Sequence, residues 1–304
     1  MNKDPIDQLS WAEFLKESKK EDHITDIKPY NRLIAHSKNF FLISGYGAFT
    51  PGYLILITKE FIPSYGLILE KNLEELNFII KLLKENIKKN LNRKSVIFEH
   101  GMCSCIGGLD RAHLHVMSIH KSSDEKSLTD SIDKTLFDRK AGVKYIEVND
   151  YKLENIHDIN HFIENSADKK QTDFKIIGKI LKNKNIQDLD EQEWPKNTLP
   201  HINKGGHYVF FRSDYEHSSF LTTHNFQTQF GRQVVFENES KLDVSFVDMV
   251  KKIKKNNEFL EIWKWQNCKF EKNIIETINS TKIFLKDFKD KYHEEFEKFD
   301  FRII

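Results

Sequence analysis

The sequence predicts an α+β fold, in which helices pack on an antiparallel sheet. Short runs of apolar, β-branched and aromatic residues occur at 39–46, 53–58, 94–99 and 112–119. Runs of this length with turn-forming residues such as Gly and Pro between them are typical of strands. Between the first two runs and the last two, residues 73–91 have apolar side chains three or four positions apart, as in a helix. The order strand, strand, helix, strand, strand favours an antiparallel sheet with a helix on it.

The amphipathic patterns predict the helices in chain order. A short N-terminal helix is expected at 9–20, where Leu9, Trp11, Phe14 and Leu15 share one face. The next is expected at 73–91, with an apolar face and lysines on the other. Beyond residue 120, we expect helices at 127–138, 225–237, 243–255 and 270–296, and strands at 143–148 and 207–212.

These patterns divide the chain into four predicted parts. Residues 1–27 form a helical extension, and residues 28–120 form the α+β core. Residues 121–205, rich in Lys, Asp and Asn, read as an insertion or connecting lobe. Residues 206–304 supply a strand and helices that pack on the core. A chain of 304 residues is long enough for such a core without disulfides.

Charge and cysteine content limit the classes of function. The chain has 47 Lys and Arg against 46 Asp and Glu, so its overall charge attracts neither nucleic acid nor an anionic membrane. Cys103, Cys105 and Cys268 form no disulfide framework, which favours a reducing compartment. The N-terminal residues do not resemble a signal peptide, and no run approaches the roughly twenty apolar residues of a membrane span. We therefore expect a cytoplasmic protein.

Residues 99–120 contain the densest cluster of chemically active side chains. His113 and His115 alternate with Ala112, Leu114 and Val116, so both imidazoles lie on one face of the predicted strand. Arg111 shares that face. A neutral imidazole can attack phosphorus and hold it covalently when nearby donors neutralise the phosphoryl oxygens.

The segment resembles the signature of the histidine-triad superfamily, in which histidines alternate with hydrophobic residues along one strand. It is closest to longer bacterial members, through Glu99-His100-Gly101 and through Gly108 and Asp110 ahead of His113. Three further segments are also similar to segments of that family: TPGYLILITKE at 50–60, TQFGRQVV at 228–235 and WKW at 263–265.

This resemblance implies a nucleotidyl hydrolase or transferase. His113 would be the nucleophile that attacks a nucleotide's α-phosphorus, and His115 would contact the non-bridging oxygens. Arg111 stands where the family has its first histidine. In a second register, His113 would be first, His115 the nucleophile and Met117 last, as in the uridylyltransferase branch, which has Gln in that last position.

Further residues are expected to bind substrate. Gly107 and Gly108 would allow the backbone to approach a phosphate, and Glu99 and His100 would line the pocket from a strand end. Lys59 would contact phosphate. Gln229 and Arg232 would contact it from the later helix. These candidates are Glu99, His100, Gly107, Gly108, Lys59, Gln229 and Arg232.

Other interpretations stay open at this point. The histidines could be structural, with Trp263 and Trp265 as core anchors, or the protein could be a non-catalytic nucleotide- or partner-binding one with a degenerate triad. Zinc is a less favoured alternative, with its ligands drawn from His100, Cys103, Cys105, His113 and His115, because Cys-x-Cys is tighter than the usual spacing. The proposed chemistry needs no obligatory metal or cofactor. Small members of the family commonly dimerise, so a homodimer is one possibility, and coverage of that surface by the C-terminal half is the other.

Overall fold

The computed structural model describes residues 32–59, 65, 70–101, 112–138, 144–147, 208–213, 218–222, 229–256, 261–265 and 267–304. These residues form one antiparallel sheet and the helices around it. No helix in these ranges is long and apolar enough to cross a membrane.

Within the described residues, the sheet has nine strands in the order β6-β8-β7-β4-β5-β3-β2-β1-β9, and every neighbouring pair is antiparallel. The strands are β1 Leu33–His36, β2 Phe40–Ser44, β3 Leu54–Thr58, β4 Lys94–Gly101, β5 His113–Ile119, β6 Lys144–Glu147, β7 Tyr208–Ser213, β8 Ser218–Thr222 and β9 Arg302–Ile303. The central strands β2, β3 and β5 are buried along their whole length. Full burial explains why β2 and β3 are mostly apolar on both faces, whereas β5 carries two buried histidines on one face.

The helices described lie at α1 Leu73–Leu91, α2 Glu125–Asp138, α3 Phe230–Leu242, α4 Val244–Asn256, α5 Glu271–Lys289 and α6 His293–Lys298. Helix α1 packs against β4 and β5, and α5 packs against β1 and β2. A buried hydrogen bond from Asn86 Nδ2 to Thr281 Oγ1, 3.1 Å long, joins α1 to α5. Helix α3 also packs against β4 and β5, and Gly231 in its first turn lies against Phe98 and His100 of β4.

The predicted α+β class is confirmed, and the central elements lie where the sequence places them. The helix expected at 73–91 is α1, and the strand pairs expected before and after it are β2 with β3 and β4 with β5. Strands β1, β8 and β9 were not predicted. The N-terminal helix at 9–20 and most of the lobe at 121–205 lie outside the described residues, so the four-part division stays a prediction.

Two helix predictions are wrong in detail. The helix expected at 225–237 begins at Phe230 and ends at Leu242, because Gln229 has a left-handed backbone with φ of 66°, which a helix cannot include. The helix expected at 270–296 is divided into α5 and α6. Tyr292 has φ of −119° and ψ of 36°, and the turn there brings Tyr292 and Phe296 onto the ring of Phe78.

Candidate functional site

The candidate site is built on β5, where His113 and His115 project from the same face of the sheet. His115 lies opposite Ile55 of β3 and opposite Phe98 of β4. The two imidazole centroids are 4.8 Å apart and nearly perpendicular, at 70°. The period-two alternation in the sequence therefore places both histidines as expected.

A third imidazole joins them from the next strand. His100 follows Phe98 by two residues on β4 and so shares its face. Its ring centroid lies 6.2 Å from that of His115. The backbone N–H of Gly231, in the first turn of α3, donates a hydrogen bond of 3.3 Å to His100 Nε2. The site thus joins two central strands to the beginning of a helix.

The three imidazoles open into one cavity of about 40 Å³. A water molecule needs about 10–15 Å³, so this volume admits roughly three waters, or a group of about the size of one phosphate. No carboxylate is among the described residues that line it. The lining residues are Arg32, Tyr46, Tyr53, Ile55, Phe98, His100, His113, His115, Gln229, Arg232 and Trp265.

Arg232 forms a wall of this cavity and holds two loops in place. Its Nε donates a hydrogen bond of 2.7 Å to the carbonyl of Trp263, and its two terminal nitrogens donate to the carbonyls of Tyr46 and Gly47. The neighbouring Gln229 accepts a hydrogen bond of 3.0 Å from the N–H of Trp265. Both residues line the cavity, with much of their hydrogen bonding directed to the backbone, and their role in substrate binding stays a prediction.

A second buried arginine lies at the cavity. Arg32 donates from Nη1 to the carbonyl of Ser44 at 3.0 Å, and its guanidinium lies 3.7 Å above the ring of Tyr46. Tyr46 in turn stacks on Trp265 with centroids 5.7 Å apart. Two guanidinium groups beside three imidazoles favour an anionic ligand.

The surroundings disfavour the charged form of His115. Burial lowers its pKa well below the ordinary value, and electrostatic repulsion from the neighbouring His113, His100 and Arg232 lowers that pKa further. Its Nδ1 lies 2.6 Å from the hydroxyl of Tyr53. Its ring stacks on Phe98, with centroids 4.5 Å apart and planes 10° apart. A hydrogen bond and a stacking partner therefore define the orientation of this imidazole.

Two predicted substrate-binding residues lie elsewhere. Glu99 faces the opposite side of the sheet from His100, and its Oε1 accepts a hydrogen bond of 2.8 Å from the N–H of Tyr65. Lys59 donates from Nζ to the carbonyl of Ser37 and lies 4.8 Å from the ring centroid of Phe41. Neither side chain is among the residues that line the cavity.

The other predicted residues cannot be placed. Arg111, Gly107, Gly108, Cys103 and Cys105 lie outside the described residues. Within the part that is described, no group of three or more His, Cys, Asp or Glu side chains is arranged to hold a metal ion.

The sequence analysis did not single out several of the lining residues. Tyr53 and Ile55 share the face of Ile57, which pairs with His113, so the period-two rule finds them once the pairing of β3 with β5 is known. Trp265, predicted to be a core anchor, also lines the cavity. No local sequence signal identifies Arg32.

No protein-family model matches the chain, and no curated protein matches it. Among solved structures, it is similar to yeast Ap4A phosphorylase Apa2, with 10% identity, a TM-score of 0.33, and coverage of 84% of this chain and 83% of that chain. It is also similar to Apa2 in complex with Ap4A, with 8% identity, a TM-score of 0.32, and coverage of 76% and 74%. Likenesses at this level carry no argument about this chain, and its resemblance to the histidine-triad superfamily stays a prediction.

Proposed function

We propose that the protein is a nucleotidyl hydrolase or transferase that acts at a nucleotide's α-phosphate through a covalent nucleotidyl-histidine. The observation that carries the proposal is the cavity itself, which is lined by three imidazoles and two guanidinium groups with no carboxylate among its described residues. A buried site of this charge stabilises an anion, and its volume of about 40 Å³ suits a single phosphoryl group.

In this proposal, His113 is the nucleophile. A ring nitrogen of His113 donates its lone pair to the α-phosphorus, the bond from phosphorus to the leaving oxygen breaks, and that oxygen keeps the electron pair. His115, held neutral by burial, donates a hydrogen bond to a phosphoryl oxygen. His100 or a water molecule supplies the leaving group's proton. Water or another acceptor then takes the nucleotidyl group from His113.

Removal of His113 tests this assignment. The wild-type protein should release nucleoside monophosphate from a dinucleoside polyphosphate or a nucleotide sugar, as measured by chromatography. We expect His113→Ala to lower the rate by at least about a thousandfold, because the covalent route is lost. The matched control is His120→Ala, since His120 lies just after β5 and hydrogen-bonds Ser122 outside the cavity. Undiminished release by His113→Ala would refute His113 as the nucleophile.

The same assay tests the zinc alternative. The proposed chemistry uses imidazoles and guanidinium groups, so turnover should survive a chelator such as EDTA. Loss of turnover with EDTA and its recovery with added zinc would instead support a metal site that includes Cys103 or Cys105.

A second candidate is a nucleotide-binding protein without turnover. It is favoured by the hydrogen bonds of Arg232, whose three nitrogens all donate to backbone carbonyls and so have limited capacity left for a transition state. Calorimetry with nucleotides, combined with the release assay, separates the two functions. Binding with neither product nor adduct would establish the second candidate.

A further inference from the structure

Arg232 lies beside Tyr53, the residue that contacts His115. Besides its bonds to three carbonyls, the guanidinium has its carbon 5.1 Å from the centroid of the Tyr53 ring. A guanidinium has five N–H groups and no acceptor. The Tyr53 hydroxyl therefore cannot donate its proton to Arg232.

The proton of the Tyr53 hydroxyl needs an acceptor. The phenolic oxygen lies 2.6 Å from Nδ1 of His115. Of Arg232 and His115, only the imidazole has a lone pair that can accept, so we infer that the hydroxyl donates its proton to Nδ1. A neutral imidazole carries one proton, so that proton is then on Nε2.

We propose, on the basis of the function proposed above, that Tyr53 is a positioning residue, oriented by Arg232, that holds His115 as its Nε2–H tautomer. An imidazole in this state donates a hydrogen bond from Nε2 and has no lone pair there with which to attack phosphorus. His115 is therefore the donor to the phosphoryl oxygens, and the attack belongs to His113. We call the contacts from Arg232 through Tyr53 to His115 the relay. It favours the register in which His113 is the nucleophile over the register in which His115 is.

Packing supports this orientation of the imidazole. The ring of Phe98 stacks on His115, and Gly231 of α3 lies against the same Phe98 ring. A Cβ at Gly231 would lie 2.3 Å from Phe98 Cδ2, so glycine permits this close approach. The stacking partner of His115 is therefore itself held by α3.

The ¹⁵N chemical shifts of the imidazole test the relay directly, because a protonated ring nitrogen and an unprotonated one resonate far apart. The full chain would be labelled with ¹⁵N-histidine, and the signal of His115, one of 13 histidines, would be assigned from its loss in His115→Gln. We expect the wild type to show a protonated Nε2 and an unprotonated, hydrogen-bonded Nδ1. A protonated Nδ1 in the wild type would overturn the proposal.

Two matched variants separate the relay from general packing. Tyr53→Phe removes the hydroxyl that faces His115 and should shift the tautomer toward Nδ1–H. Tyr65→Phe is the control, because it removes a buried hydroxyl on the other face of the sheet that donates a hydrogen bond of 2.8 Å to the carbonyl of Leu56. This variant should leave the His115 signals unchanged. An unchanged tautomer in Tyr53→Phe would also overturn the relay.

Turnover gives a second readout that keeps the two proposals distinct. Tyr53→Phe should lower kcat by about tenfold, the equivalent of one hydrogen bond lost from the transition state, with little change in KM. Tyr65→Phe should leave both kcat and KM unchanged. If the wild type has no turnover, the proposed function fails, while the ¹⁵N shifts still decide the tautomer.

Discussion

Two glycines with the same backbone strain provide a controlled test of how the cavity wall is held. Gly47 and Gly52 have φ of 64° and 76°, respectively. A side chain in this left-handed region costs about 1–2 kcal/mol. Gly47→Ala and Gly52→Ala therefore share that cost, and any difference between them reports on their surroundings.

The surroundings differ in what a new Cβ meets. At Gly52 it would lie 2.4 Å from Cδ1 of Leu91, the end of a flexible side chain that can move. At Gly47 it would lie 2.3 Å from Nη2 of Arg232 and 2.8 Å from the backbone Cα of Trp265. Arg232 must then give up its bond to the Gly47 carbonyl. A hydrogen bond to a charged group contributes about 1.5–3 kcal/mol.

The expected costs are therefore about 1–2 kcal/mol for Gly52→Ala and about 2.5–5 kcal/mol for Gly47→Ala. Urea denaturation with a shared m-value would measure both. In the ¹⁵N spectrum, only Gly47→Ala should also shift the His115 signals, since it displaces the arginine that orients Tyr53. Equal free energies of unfolding for the two variants would refute the role given to Arg232.

Three further predictions follow from burial and charge. Burial lowers the pKa of His115 in the folded protein below its ordinary value of 6.5. As the pH falls below about 6.5, the unfolded chain therefore binds a proton at this imidazole that the folded protein does not bind, and the free energy of unfolding should fall by up to about 1.4 kcal/mol per pH unit. Urea denaturation of His115→Gln between pH 5 and 7 should show a smaller slope, and an unchanged slope would exclude His115 as the source. Glu239, buried on α3, pairs with Arg93 and accepts from the N–H of His120 at 2.7 Å, so Glu239→Leu should cost about 2–4 kcal/mol in the same assay, whereas a cost below about 0.5 kcal/mol would contradict this. Pyrophosphate at about 100 times its Kd should stabilise the fold by about 2.7 kcal/mol in thermal unfolding, and equal stabilisation by the same concentration of adenosine would argue against an anion site.

The central fold could be predicted because its elements carry strong local patterns. Helix α1 has a clear apolar face, and β3 and β5 are buried apolar runs. Strand β9 has two residues, which is too short for a periodic signal. Strands β1 and β8 mix apolar residues with small or polar ones, in LIAH and SSFLT, so their apolar pattern is weak. The left-handed Gln229 that starts α3 and the turn at Tyr292 depend on tertiary contacts, so no local pattern shows them.

The site was predictable to the extent that one strand contains it. His113 and His115 share a face by alternation alone. The same rule shows that adjacent Glu99 and His100 on a strand cannot both face one cavity, and only His100 does. Tyr53 and Phe98 needed the register between strands, and Arg32 needed the complete fold, because its contacts to Ser44 and Tyr46 are not local.

Identification of the covalent intermediate tests the central claim most directly. The wild-type protein would be mixed with a dinucleoside polyphosphate, quenched under alkaline conditions that preserve the nitrogen–phosphorus bond, digested, and mapped by mass spectrometry. The account predicts one nucleotidyl group on the peptide that contains His113, with fragmentation placing it on that residue and no adduct in His113→Ala. A nucleotidyl group on His115, or product released by wild-type protein that never carries an adduct, would contradict it.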